Sequence, residues 1–98
     1  MTLKTTVWDP AEHLRSKRDI AAFLQAAFED GDPAVIAAAF GYVARAKGMA
    51  KIAKSAGVTR EGLYRSLSAD GNPGLDTVLK VTKSLGLRLT VKPIRKAA

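Results

Sequence analysis

Arg60, Glu61, Tyr64 and Arg65 are the residues of this 98-residue chain best suited to molecular recognition. Two guanidinium groups, a carboxylate and a phenol fall within six positions. Leu63 and Leu67, four apart, would turn to the core of a helix and leave those four pointing outward. A basic, hydrogen-bonding helix face is what base edges in a DNA major groove require.

Other chemistries find little support. There is one histidine, His13, with Glu12 beside it, and no cysteine. A disulfide framework, a thiolate metal site and an ordinary nucleophilic centre all lack their residues. His13 reads as a surface residue. Glu29, Asp30 and Asp32 cluster, but they flank a glycine turn and precede a helix start, so solvated capping explains them better than metal binding. Asp70 has no second acid near it in sequence. Trp8, the single tryptophan, reads as a packing anchor or partner contact. No catalytic constellation emerges, and no enzyme, cofactor or metal is expected.

The elements that position the recognition face lie in MAKIAKSAGVTREGLYRSL, residues 49–67. This is the pattern of two short helices joined by a tight turn, a helix-turn-helix. Ala53 is small where the helices cross. Gly57 suits a left-handed turn residue. Val58 would plug the gap between the helices, and Thr59 would cap the second one. Gly62 is a poor helix former, costing about 1 kcal/mol relative to Ala. It would serve close approach of DNA or a loop, or tight packing on a neighbouring helix. Helix–glycine–helix segments also occur in small all-α proteins that never meet DNA, and charge separates the cases. Residues 1–47 carry six basic and six acidic side chains, whereas residues 48–98 carry ten basic and three acidic. The whole net charge of +7 therefore sits in the half containing the motif. Such clustering favours phosphate binding.

Around this unit the chain reads as helical. Asp9-Pro10 with Glu12 predicts a short first helix. Leu14 supplies its apolar contact. Ser16 and Asp19 open a second helix over about 17–29, with Ile20, Phe23, Leu24, Ala27 and Phe28 on one face. Asp32-Pro33 starts a third, with Val35, Ile36, Ala39, Phe40 and Val43 as its stripe, up to Gly48. SADGNPG, residues 68–74, is a loop. It is not a phosphate-binding P-loop, because no Gly-Lys-Ser/Thr follows. Leu75, Val78, Leu79, Thr82 and Leu85 then share a face of a closing helix that ends at Gly86. Leu87, Leu89 and Val91 alternate with Arg88, Thr90 and Lys92, which predicts a strand over 87–92. Its partner would be Thr2–Val7, the same strand of a second subunit, or another protein. The alternative is a frayed basic tail.

Length and composition fit one small domain, 1–98. Within it, residues 1–47 form N-terminal helices, 48–86 the helix-turn-helix and closing helix, and 87–98 a strand and basic tail. Apolar runs are short and interrupted by charge, which excludes a transmembrane helix. MTLKTTVWDP lacks the apolar core of a secretory signal, so a cytoplasmic protein is expected.

Two segments carry a family resemblance: AEHLRSKRDIAAFLQAAFEDGD and GMAKIAKSAGVTREGLYRSLSADGNPGLDTVLKVTKSLGLRLTV. Together they cover most of the chain, and the part from TREGLY through GNP to the closing helix is the specific one. The sequence resembles the addiction-module antidote proteins, the HigA-like antitoxins of the Xre-type helix-turn-helix class. The resemblance implies an all-α, lambda-repressor-like domain of five to six helices, here with the short C-terminal β-strand. It implies an antitoxin of a type II toxin–antitoxin module. Such a protein neutralises a small ribonuclease-type toxin and, as a homodimer on double-stranded operator DNA, represses its own operon. By position, Thr59, Arg60, Glu61, Tyr64 and Arg65 would take recognition-helix roles. Lys51 and Lys54 would touch the DNA backbone.

Two function classes remain open on the sequence. One is a DNA-binding repressor that is also an antitoxin. The other is a protein-interaction module, or a plain transcriptional regulator without a toxin. Arg60, Tyr64 and Arg65 favour the first, since an abandoned DNA face has no need of them. RNA binding is weaker, because the usual aromatic pair on a sheet is missing.

Overall fold

A computed structural model describes residues 14–94. They form five helices, α1 (Lys17–Asp30), α2 (Pro33–Lys47), α3 (Met49–Ala56), α4 (Arg60–Ser66) and α5 (Leu75–Ser84). The expected helix at Asp9-Pro10, together with Trp8, Glu12, His13 and the Thr2–Val7 segment, lies outside the described residues.

Helix starts follow local capping chemistry. The Ser16 hydroxyl accepts from the Asp19 N–H at 3.0 Å and opens α1. The Asp32 carboxylate accepts from the Ala34 N–H at 2.9 Å and opens α2, with Pro33 at the first helical position. Each oxygen takes an amide that has no partner within its helix. Helices α1, α3 and α5 stop at Gly31, Gly57 and Gly86, all with positive φ. After α3, the Val58 N–H reaches back to the Ala53 carbonyl. After α5, the Leu87 N–H reaches back to the Thr82 carbonyl. These are two copies of one cap, in which an apolar residue just past the glycine folds onto the helix it terminates. Val58 and Leu87 both pack against the core.

The core is built from Ile20, Phe40, Val43, Leu63, Leu67 and Val81, all fully buried. Small residues fill the crossings. Ala44, Ala53 and Ala56 are buried among them, so α2, α3 and their neighbours approach closely. Gly41 marks the tightest point. A Cβ added there would sit 2.2 Å from the Leu67 carbonyl oxygen. Only a glycine lets the middle of α2 meet the backbone at the end of α4.

Three expectations need correction. First, residues 87–92 form no strand. Leu87 spends its N–H on the α5 cap and its side chain on the core. Val91 is 97% exposed, and no described segment lies beside it as a partner. Alternation without a paired ladder does not make a strand. Second, the inner face of α5 is only partly the expected one. Thr82 and Leu85 are buried and Val78 packs against the core as expected, but Val81 is buried too, whereas Leu75 is 70% and Leu79 47% exposed. Third, Val35 and Phe28 lie at the edge of their stripes and are largely exposed, while Ala37 is buried in α2.

Two glycine substitutions test this packing. Gly41→Ala forces a backbone shift between α2 and α4 and is expected to cost about 1–3 kcal/mol. Gly57 has open space where a Cβ would go, but its φ is +74°. Gly57→Val is expected to cost a similar 1–3 kcal/mol through strain alone. Thermal melts followed by circular dichroism should show both well below wild type. Either variant melting with the wild type refutes the corresponding contact or turn.

Candidate nucleic-acid interface

The candidate site is the outer side of α3, the turn after it, and α4. The turn is set by Gly57 in the left-handed region, whose N–H donates to the Lys54 carbonyl at 3.2 Å. Thr59 is extended, and its hydroxyl accepts from the Gly62 N–H at 2.9 Å. That bond caps the start of α4. Leu63 and Leu67 are driven into the core at 0% and 1% exposure. Arg60, Glu61, Tyr64 and Arg65 are consequently all exposed, as are Lys51 and Lys54 on α3.

The structure thus brings all seven expected residues to the outside of two adjacent helices, but not in equivalent states. The Thr59 hydroxyl is engaged as a cap. Arg60 lies over the Tyr64 ring, its guanidinium carbon 5.6 Å from the centroid, within cation–π range. Arg65 and the two lysines project without a charged partner among the described residues. Glu61 sits in the first turn of α4, where a negative charge complements the helix dipole. A Cβ at Gly62 would lie 2.9 Å from the Thr59 hydroxyl oxygen, so this glycine leaves room for the cap.

Gly71 also matters, and sequence reasoning missed it. A Cβ there would lie 2.2 Å from the Ser66 carbonyl oxygen and 2.5 Å from that of Arg65. The 68–74 loop therefore doubles back against the end of α4. Ser68 caps the same end, donating its hydroxyl to the Arg65 carbonyl at 3.1 Å. A second stack had no sequence signal either. Arg45 lies over Tyr42 at 5.1 Å, and Tyr42 meets Phe23 edge-on at 6.4 Å. Its residues come from α1 and α2, and only folding joins them.

Among the described residues no group of three or more His, Asp or Glu side chains could hold a metal ion. No helix there is long and apolar enough to cross a membrane.

The described residues thus present a short helix pair with a basic outer face on a small all-helical scaffold. Comparison with known proteins makes this specific. The chain belongs to the family of probable addiction module antidote proteins, whose model matches residues 4–93. It is also similar to an uncharacterized protein of Haemophilus influenzae (strain Rd), at 42% identity over 97 residues, covering 99% of this chain and 100% of that one. No solved structure matches the chain. Family membership supports an antitoxin role with a cognate toxin as partner, and a non-enzymatic regulatory protein.

The Thr59 cap is testable. Thr59→Ala removes the acceptor for the Gly62 amide and should cost about 1 kcal/mol, several degrees in melting midpoint. Thr59→Ser should restore most of it. An unchanged melt for the alanine variant would mean that tertiary packing alone sets the start of α4.

Proposed function

We propose that this protein is a DNA-binding antitoxin of a type II toxin–antitoxin module, of the HigA-like, Xre-type helix-turn-helix class. It acts in the cytoplasm, neutralises a small ribonuclease-type toxin, and represses its own operon as a homodimer. The observation that carries the DNA half is the α4 face. Arg60, Tyr64 and Arg65 are exposed together on the helix that follows the Gly57 turn. All of the net charge, +7, lies in the half of the chain that includes them. The antidote family supports the toxin half.

In this reading α4 enters the major groove. Arg65 and the Arg60–Tyr64 pair meet base edges, where an arginine recognises guanine by two hydrogen bonds. Lys51 and Lys54 on α3 meet phosphates and set register without reading sequence. A two-fold dimer places two α4 helices in successive major grooves, roughly 34 Å apart, on a palindromic operator.

Fluorescence anisotropy with the protein's own promoter duplex tests the DNA half. Arg60→Ala or Arg65→Ala should weaken specific binding by about 1–3 kcal/mol, roughly 5- to 150-fold. Lys51→Ala and Lys54→Ala should weaken promoter and unrelated duplexes alike. A wild type that binds no duplex at low salt refutes the reading. The toxin half is tested by co-expression with the product of the adjacent gene, where growth arrest by that product should be relieved by this chain. Arrest that persists refutes it.

A further inference from the structure

Two adjoining clefts lie between α3 and α5, and together they form one basic groove. Lys17, Lys47, Lys51 and Lys83 line the first, over buried Ile20 and Ile52. Lys80 and Lys83 line the second, with Ser55 and Ser84. Lys83 and Ser84 belong to both. Five lysines from four helices thus border a groove that, among the described residues, no carboxylate lines. None of the five is paired with a described carboxylate.

Helix electrostatics account for only part of this. Lys47 and Lys83 occupy the last turns of α2 and α5, where a positive charge is favoured. Lys17 is the first residue of α1 and Lys51 lies in the first turn of α3, where it is disfavoured. Both face a groove that already holds like charges. The Lys17 side chain lies across the end of α5, where a Cβ at Gly86 would be 2.7 Å from its Cε and 2.9 Å from its Nζ. Ammonium groups brought together from four helices, with no acid beside them among the described residues, suit an anion supplied from outside.

The groove's form narrows the choice of anion. Its lining runs from Lys47, Lys51 and Ile52 to Ser55 and Gly57, and it shares Lys51 with the outer side of α3, which precedes α4. Lysine binds phosphate as a point charge and does not impose the planar, two-bond recognition that arginine does. An extended phosphate chain fits these features better than one small ion. We propose that the groove holds the sugar–phosphate backbone of duplex DNA, as a sequence-independent contact surface beside α4. This inference rests on the DNA-binding reading above.

The test compares two doubly neutralised proteins, each first shown to melt as the wild type does. Lys17→Gln/Lys83→Gln neutralises two of the five groove lysines. Arg18→Gln/Arg88→Gln removes the same charge at exposed positions that line neither cleft. Duplex affinity is measured across a salt series. The groove pair should flatten the log–log salt slope by roughly 2, about 0.9 per lost lysine contact, on promoter and unrelated duplexes alike. At 0.1 M salt that is on the order of tenfold in affinity per lysine. The control pair should change it much less. A groove pair with the wild-type slope, or a control pair that shifts equally, overturns the proposal while leaving DNA binding by α4 intact. Inorganic phosphate and oligoglutamate, each titrated into the wild type while the Ser84 and Gly86 amides are followed by NMR, give the other outcomes. Saturation by either, with an unchanged DNA slope in the groove pair, assigns the site to a free anion or an acidic peptide and overturns it too. A wild type that binds no duplex is a separate result, and refutes the parent reading as well.

Discussion

The architecture depends on one close backbone approach, that of α2 at Gly41 to the Leu67 carbonyl at the end of α4. Helices of seven and eight residues, such as α4 and α3, have little stability of their own. They persist because larger neighbours hold them. Where α2 meets the Leu67 backbone at Gly41, Leu63 and Leu67 reach the same core as Phe40 and Val43. Burial of those two leucines then decides which side of α4 meets solvent. The exposed arginines and tyrosine are a consequence of what is locked on the opposite side.

How much of this is legible in the sequence depends on how local the cause is. Ser16, Asp32 and Thr59 each act on an amide two or three residues away, so their caps can be read directly. Gly57 and Val58 are legible for the same reason. The tail fails in an instructive way. Leu87, Leu89 and Val91 do alternate, yet the first of them is consumed by the cap of α5, a bond five residues back that outweighs any period-two pattern. On α5, Thr82 is legible and is buried with its hydroxyl donated to the Val78 carbonyl at 2.7 Å, but Leu75 and Leu79, apolar by type, stay exposed while Val81 takes the inner position. Gly41 carries no signal at all. A glycine inside a helix reads as a weakness until its neighbour across the fold is known.

The same distinction governs the charged surfaces. The arginines of α4 are neighbours in sequence and declare themselves. The lysine groove assembles residues from positions 17 to 83, and only the packing of α5 against α3 reveals it. A net charge of +7 locates the excess in one half of the chain and says nothing of its shape. Lys17 and Lys47 come from the half whose charges balance, so counting by segment hides them.

The Arg60–Tyr64 stack has a thermodynamic consequence for any partner that α4 meets. A free arginine side chain carries about 2 kcal/mol of rotamer entropy, much of which is surrendered when it is fixed by a ligand. Resting on the phenol ring, Arg60 has already lost part of that freedom before contact. Arg65, with no ring beneath it, has not. Two arginines of identical chemistry on one short helix therefore enter a complex with different entropic penalties. The pair combines a pre-organised group with an adaptable one, so tolerance for variation in the partner concentrates at Arg65.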